Sequence, residues 1–225
     1  MMNSVNNQLV ITADGSSTLY NAQSGEHYHS TFGAIQESRH IFIEAGLWPC
    51  LNQSNVWVLE VGFGTGLNAL LTLQAGEEKH VKIHYTAIEL YPVSAAEIEA
   101  LNYADLLDID TTLFHRMHES AQSSIPITPL FYLDKQLVSF QDAKPERSKY
   151  DVVFFDAFSP DSQPEMWTEK GFRKLYEALK PGGILVTYSS KGLVKRALQS
   201  IGFRIEKLPG PPGKREFLRA WKESF

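Results

Sequence analysis

Two carboxylates end apolar runs where packing gives no reason for a charge. Val56-Trp-Val-Leu runs into Glu60, then Val61 and the loop Gly62-Phe-Gly64-Thr-Gly66, and Val152-Val-Phe-Phe runs into Asp156-Ala-Phe158-Ser-Pro160. Glycines at such a turn let backbone approach a ligand closely, and the free N–H groups of a following helix attract negative charge. The spacing is G-x-G-x-G with Leu67 next, so the dinucleotide pattern G-x-G-x-x-G is not met and a nicotinamide dehydrogenase is disfavoured. A third acid, Glu89, ends the run from Ile83, where a carboxylate can accept hydrogen bonds from ribose hydroxyls. The glycines and Glu89 together describe a nucleoside-containing cofactor. Asp156, after its own buried run, falls at the same sheet edge. A carboxylate there can accept N–H bonds from an amine and offset positive charge developing on nitrogen. The alternative reading of Asp156 is a helix N-cap or turn residue.

The elements that must position these groups read as strands alternating with helices. Val56–Val61, Ile83–Glu89, Tyr150–Phe155 and Ile184–Tyr188 are nearly continuous apolar strands, which implies a mostly parallel sheet covered on both faces. Leu67–Ala75, a helix opened by Pro92, Glu165–Leu179 and Leu193–Ile201 are helical, the third ending at Lys180-Pro-Gly-Gly. Leu130–Leu133 and Leu137–Phe140 flank Asp134-Lys-Gln as a hairpin, and Phe203–Glu206 and Glu216–Trp221 form a final antiparallel pair around a Pro/Gly loop. Residues 1–50 read as a small extension: a strand pair around Ala13-Asp-Gly-Ser16, then a helix over Ala34–Gly46. Residues 51–225 form the main α/β domain.

With 225 residues, 43% hydrophobic and 21% charged, the chain can bury one large α/β core. No apolar run is long enough to span a membrane, and the first residues, Met1 to Gln8, show no secretory pattern. The one cysteine, Cys50, excludes an internal disulfide and fits a cytoplasmic location. Net charge is −5, yet Lys191, Lys195, Arg196, Arg204, Lys207, Lys214, Arg215, Arg219 and Lys222 crowd the last segment. Such a cluster is either a footprint for phosphates or a solvated mixed face. His27-x-His29 and His115-x-x-His118 lack a second set of ligands, so no metal is expected and surface or local hydrogen-bonding roles are favoured. Glu37 and Arg39, two apart on a helix, do not share a face and would not pair with each other. Trp167 reads as core packing at the entrance of its helix, with stacking on a base as the alternative.

Glu60-x-Gly62-x-Gly64-x-Gly66 with a second-strand acid is similar to the pattern of class I S-adenosylmethionine methyltransferases, a Rossmann-like fold. That resemblance implies S-adenosylmethionine as cofactor. It also suggests that Asp142, after the fourth-strand signal, stands near the adenine amino group, the alternative being an ordinary turn residue. Val153-Phe-Phe-Asp-Ala-Phe-Ser-Pro-Asp-Ser-Gln-Pro-Glu-Met-Trp167 resembles the signature of the methyltransferase part of the MnmC family, tRNA wobble-uridine enzymes. The resemblance extends to Tyr28-His-Ser30, Glu37-Ser-Arg39, Glu60 to Asn68, Glu89-Leu-Tyr-Pro92, Lys180-Pro-Gly-Gly183 and Gly213-Lys-Arg-Glu216. It implies methylation of the exocyclic amine of 5-aminomethyl-(2-thio)uridine in tRNA, with Asp156 as the catalytic acid and Glu60, Asn68 and Glu89 around the cofactor. Phe158, Pro160, Tyr28, Glu37, Arg39, Lys214 and Arg215 are the expected substrate contacts, the alternative for Glu37 and Arg39 being a structural salt bridge elsewhere.

The flavin oxidoreductase half of the bifunctional enzymes is not expected in a chain ending at Phe225, so no FAD is expected and separate enzymes would supply the aminomethyl substrate. Two other classes compete: a small-amine transferase of the polyamine type on the same scaffold, and a non-catalytic S-adenosylmethionine-binding module. The first does not explain the basic C-terminal segment, and the second would not need Asp156 and Phe158.

Overall fold

The computed structural model describes residues 7–119 and 124–223, so the opening residues read for a secretory pattern lie mostly outside the described residues. Strands β1 (Gln8–Ile11), β2 (Ser17–Asn21) and β3 (Glu26–His27) form a small antiparallel sheet. Helix α1 (Ala34–Ser38) follows and continues in π geometry through Arg39–Leu47. This segment lies directly on the main sheet: a Cβ at Gly46 would stand 2.8 Å from Val186 and 3.1 Å from Phe154.

Among the described residues the main sheet has eight strands. Its central members are β4 (Asn55–Val61), β5 (Lys82–Glu89), β7 (Phe131–Leu137), β8 (Tyr150–Phe155) and β9 (Leu179–Thr187), with β6 (Ile125–Pro126), β10 (Arg204–Pro209) and β11 (Glu216–Trp221) beside them. The order is β10-β11-β9-β8-β4-β5-β7-β6, parallel from β9 through β7. Strand β11 runs antiparallel between β9 and β10, so the expected C-terminal hairpin is present. Every residue of β8 is buried, which is what a central parallel strand requires. The chain leaves β4 toward β5 and β7, then returns to β8 on the other side of β4. The switch point therefore lies between the carboxyl ends of β4 and β8, where open α/β sheets bind ligands.

Helices α2 (Leu67–Lys79), α3 (Ala95–Ala100), α4 (Tyr103–Leu107), α5 (Thr111–Glu119), α6 (Glu169–Ala178) and α7 (Gly192–Ile201) cover the sheet and its flank. Ser94 and Glu97 form a capping box at α3, just past the helix opener expected at Pro92. No element was expected over Tyr103–Glu119, where α4 and α5 lie.

Three expectations need correction. Asp134-Lys-Gln is no turn: it lies inside β7, paired in parallel with Thr86–Ile88. Lys135, only 3% exposed, donates from Nζ to Met117 O at 3.1 Å and to His118 O. A buried cation at the carbonyl end of α5 replaces the solvent that a turn lysine would need. Lys180-Pro-Gly-Gly, read as a helix end, belongs to β9, whose register against β8 shifts between Tyr150 and Val152. The bulge accommodates the proline and glycines inside the strand. Finally, α6 begins at Glu169, with Thr168 Oγ1 accepting Gly171 N–H at 3.2 Å, after a separate turn over Pro164–Met166.

Candidate active site at the carboxyl edge of the sheet

The glycine loop is shaped by its neighbours. Gly62, Gly64 and Gly66 have φ of 91°, 49° and 76°, values that favour glycine. A Cβ on Gly62 would stand 2.6 Å from the carbonyl oxygen of Asp156, so the cofactor loop and the Asp156 loop touch backbone to backbone. Gly62 N–H donates to Ile88 O at 3.0 Å, and Asp156 N–H donates to Val61 O at 2.9 Å. Behind the loop, Thr65 Oγ1 lies 2.8 Å from His29 Nε2, and His118 Nε2–H donates to Thr65 O at 3.1 Å. Burial pushes His29 down to about 4 and His118 down to about 3, so both are neutral at physiological pH. These histidines take the local hydrogen-bonding role. No group of metal-binding side chains occurs among the described residues.

Glu89, at the end of β5, accepts Gly64 N–H at 2.9 Å and Tyr91 N–H at 2.7 Å. It therefore braces the loop while keeping lone pairs for further donors. Tyr28 lies against Gly64, where a Cβ would meet its ring at 3.0 Å, and meets the Phe158 ring edge-on at 5.1 Å. Asp142 is exposed in a turn after β7, its carboxylate accepting the Ser139 hydroxyl at 2.6 Å.

The centre of the site is a pair of carboxylates bridged by one amide. Asn68, in the first turn of α2, donates from Nδ2 to Asp156 Oδ2 at 2.8 Å and to Glu60 Oε1 at 3.0 Å. Glu60 is fully buried, and its carboxyl also meets the Tyr85 hydroxyl. Burial holds its carboxyl well above the usual range. Asp156 is pushed up to about 7, first by burial and then by the negative charge of Glu37, with Asn68 and Lys214 pulling the other way.

The segment after Asp156 is tied down by Trp167 and by two groups that the sequence did not single out, Tyr188 and Glu26. Tyr188 donates its hydroxyl to Ala157 O at 3.0 Å, and Trp167 Nε1 donates to Phe158 O at 2.8 Å. Trp167 also packs edge-on against Phe155 at 4.8 Å, in accord with its core reading. Glu26, on β3, accepts Ser159 N–H at 2.9 Å and the hydroxyls of Ser159 and Ser162. Nothing in a two-residue strand marks Glu26 in the sequence. Pro160 is buried and Phe158 half-buried in this loop.

Glu37 and Lys214 come together as an ion pair, with side chains 7% and 29% exposed. Both act on the charge of Asp156, so they belong to this site. Arg39 does not join them: it is exposed and lines an open groove of about 540 Å³ with Asp14, His40, Glu44, Pro211 and Pro212. Arg215 is exposed next to Lys214. Much of the basic C-terminal cluster is internally paired: Lys191 with Asp161, Lys207 with Glu216 and Arg219 with Glu206. Lys222 donates to Tyr176 O and Leu179 O at 2.8 and 2.7 Å.

The site can hold a nucleoside-bearing cofactor on the loop of Gly62–Gly66 and an amine at Asp156. A family described as S-adenosyl-L-methionine-dependent methyltransferase matches residues 131–223. The tRNA 5-methylaminomethyl-2-thiouridine biosynthesis bifunctional protein MnmC of Methylobacillus flagellatus is 31% identical over 221 residues, covering 88% of this chain and 33% of that protein. The chain spans about a third of the length of the curated relatives it matches. MnmC2 from Aquifex aeolicus has a similar crystal structure, with a TM-score of 0.77 and 26% identity over 100% of this chain and 73% of that one. Spermidine synthase from Thermotoga maritima shares the fold alone, with a TM-score of 0.55 and 13% identity over 98% of this chain and 72% of that one.

Proposed function

We infer that this chain, whose fold and sequence resemble those of S-adenosyl-L-methionine-dependent methyltransferases and of MnmC, methylates the exocyclic amine of 5-aminomethyl-(2-thio)uridine at the tRNA wobble position. The product is the methylaminomethyl form. Another enzyme supplies the aminomethyl group, and the chain works in the cytoplasm. The observation that carries this reading is the Asp156 carboxyl. It is aligned by Asn68 beside the glycine loop and is pushed up to about 7, first by burial.

The residues fit the cofactor. The glycines let the loop pack closely against Asp156 and Tyr28, and Glu89 offers acceptors for the ribose. Asn68, at the start of α2, presents a buried Oδ1 without a hydrogen-bond partner, an acceptor suited to the positively charged amino-acid end, with Glu60 of β4 beside it. Asp142, exposed in the turn after β7, is the acid that the resemblance assigns to the adenine amino group. When bound, S-adenosyl-L-methionine supplies an electrophilic methyl group on a sulfonium sulfur.

The chain's own residues prepare the amine. A primary amine arrives mostly as an ammonium ion and must lose a proton before its lone pair is free. Asp156, ionised above about pH 7, accepts an N–H bond, turns the lone pair inward and offsets the charge that develops on nitrogen. Phe158 and Tyr28 form an aromatic wall for the base, and the buried Pro160 fixes the loop. Exposed Arg215 and Arg39 remain available for phosphates, which suits an RNA substrate better than a free polyamine.

Mass spectrometry of wobble nucleosides from cells lacking this protein tests the reading. Accumulated aminomethyluridine is expected. A normal level of the methylated form would overturn it.

A further inference from the structure

A tight turn in the N-terminal extension holds an aromatic ring out in solvent. Gly33 N–H donates to Ser30 O at 3.1 Å, Phe32 N–H to Ser30 Oγ at 3.2 Å, and Ala13 N–H to Thr31 O at 2.9 Å. The backbone is thus fixed, yet Phe32 is 56% exposed. Single apolar residues on a surface are ordinary. What sets Phe32 apart is its seat. Its ring lies against Gly213, which has a φ of 84° and where a Cβ would overlap the edge of the ring. The loop of Gly213 is closed by Lys214 N–H donating to Pro211 O at 2.9 Å and Gly210 N–H donating to Arg215 O at 3.1 Å.

Both sides of this contact lead to the Asp156 site. Ser30 N–H donates to Glu37 Oε2 at 2.7 Å, and Lys214, which follows Gly213, forms the ion pair with Glu37. Both charges of that pair act on Asp156. Outward from the seat, Arg215 is exposed. Phe32 therefore stands at the rim of the site, between its inner ion pair and a free cation.

Asp156 is largely buried, so a target base must leave the stack of its loop to bring an amine there. Its departure strips one face of each neighbouring base of a partner. An exposed ring at the rim can cover such a face, and Arg215 beside it suits the phosphates that join the nucleotides. The half-buried Tyr28 and Phe158 belong to the target base itself.

We propose that Phe32 stacks on a base adjoining the target nucleotide and so holds the target turned toward Asp156. This rests on the methyl-transfer reading above and adds to it a contact with the neighbouring nucleotide. Phe32 acts as a positioning residue, touching neither the amine nor the cofactor.

The test uses three stem-loop RNAs carrying 5-aminomethyluridine: one intact, one abasic at the preceding nucleotide and one abasic at the following nucleotide. Dissociation constants and single-turnover rates of methyl transfer are measured with the whole chain. On intact RNA, Phe32→Ala should weaken binding about fivefold to a hundredfold, the scale of one lost base–aromatic stack, with the rate at saturation within about threefold of wild type. Phe32→Trp should restore binding. Phe32→Leu, which keeps an apolar group on Gly213 but has no π-face, should not. On one of the two abasic RNAs the penalty of Phe32→Ala should vanish, because the base it met is gone. Wild-type affinity of Phe32→Ala for intact RNA would overturn the proposal. So would full rescue by leucine, or an equal penalty on all three RNAs, since either marks a purely structural role. Those failures leave wild-type methyl transfer intact, whereas a wild type that does not methylate the intact RNA overturns the underlying reading as well.

Discussion

Asn68 Nδ2 lies 2.8 Å from Asp156 Oδ2, and the same amide nitrogen reaches Glu60 at 3.0 Å. One side chain at the start of α2 thus joins the cofactor loop to the group assigned to the amine. Both carboxyls are raised by burial, and Asn68 supplies the hydrogen bond that keeps Asp156 from rising further. Asn68→Ala should therefore move the ascending limb of the pH–rate profile upward by about one unit. Rates of methyl transfer between pH 6 and 9 check this. A limb at the wild-type position would separate Asn68 from the ionisation of Asp156.

Gly62→Ala should abolish detectable binding of S-adenosyl-L-methionine by calorimetry. Its φ of 91° is unfavourable for alanine, and the new Cβ would stand 2.6 Å from Asp156 O, a backbone atom that cannot swing aside. Normal affinity would show that the two loops can separate without cost to the site.

Glu26→Ala removes the acceptor for Ser159 N–H and two serine hydroxyls. Its carboxyl is held below the usual range by these donors, against the cost of its own burial. A folded-state value below the unfolded one contributes stability that is present above the unfolded value and lost as pH falls through the folded one. The wild type should thus be more stable than Glu26→Ala at pH 7, by about 1–2 kcal/mol in urea unfolding, and the gap should narrow below the ordinary glutamate range. A gap independent of pH would point to packing instead.

Arg215→Ala should make the salt dependence of tRNA binding shallower by about 0.7–0.9 in log–log slope, the value of one lost phosphate contact. Arg219→Ala should leave the slope unchanged, because Arg219 is committed to Glu206 and Ala45 O. Equal slopes in the wild type and both variants would mean that phosphates bind elsewhere.

The sheet and its ligand edge were legible in the sequence because buried parallel strands write themselves as continuous apolar runs. The glycines, Glu89 and Asp156 follow those runs directly. Lys135 was not legible as a strand residue, since its solvation comes from the carbonyl end of α5, far away in sequence. Lys180-Pro-Gly-Gly looked like a stop, yet a register shift against β8 lets it remain strand. The basic C-terminal cluster looked uniform, but long-range partners divide it: Lys214 turns inward to Glu37 while Arg215 stays in solvent. Charge counts in a sequence carry no sign of such pairing. Glu26 and Tyr188, which hold the loop after Asp156, are likewise defined only by tertiary contacts.

Asp156→Asn tests the central claim most directly, through the single-turnover rate of methyl transfer to bound aminomethyluridine RNA. Asparagine keeps the size and one acceptor but cannot take a proton or offset the charge on nitrogen. With saturating S-adenosyl-L-methionine and unchanged cofactor affinity, the rate should fall about 10²–10³-fold. The cofactor-free variant should also melt a few degrees higher than wild type at pH 8. A carboxyl raised to about 7 in the folded state costs stability as pH climbs from its unfolded value through 7, and asparagine removes that cost. A variant that binds the cofactor normally and transfers methyl at the wild-type single-turnover rate would contradict the assignment of Asp156 to the amine.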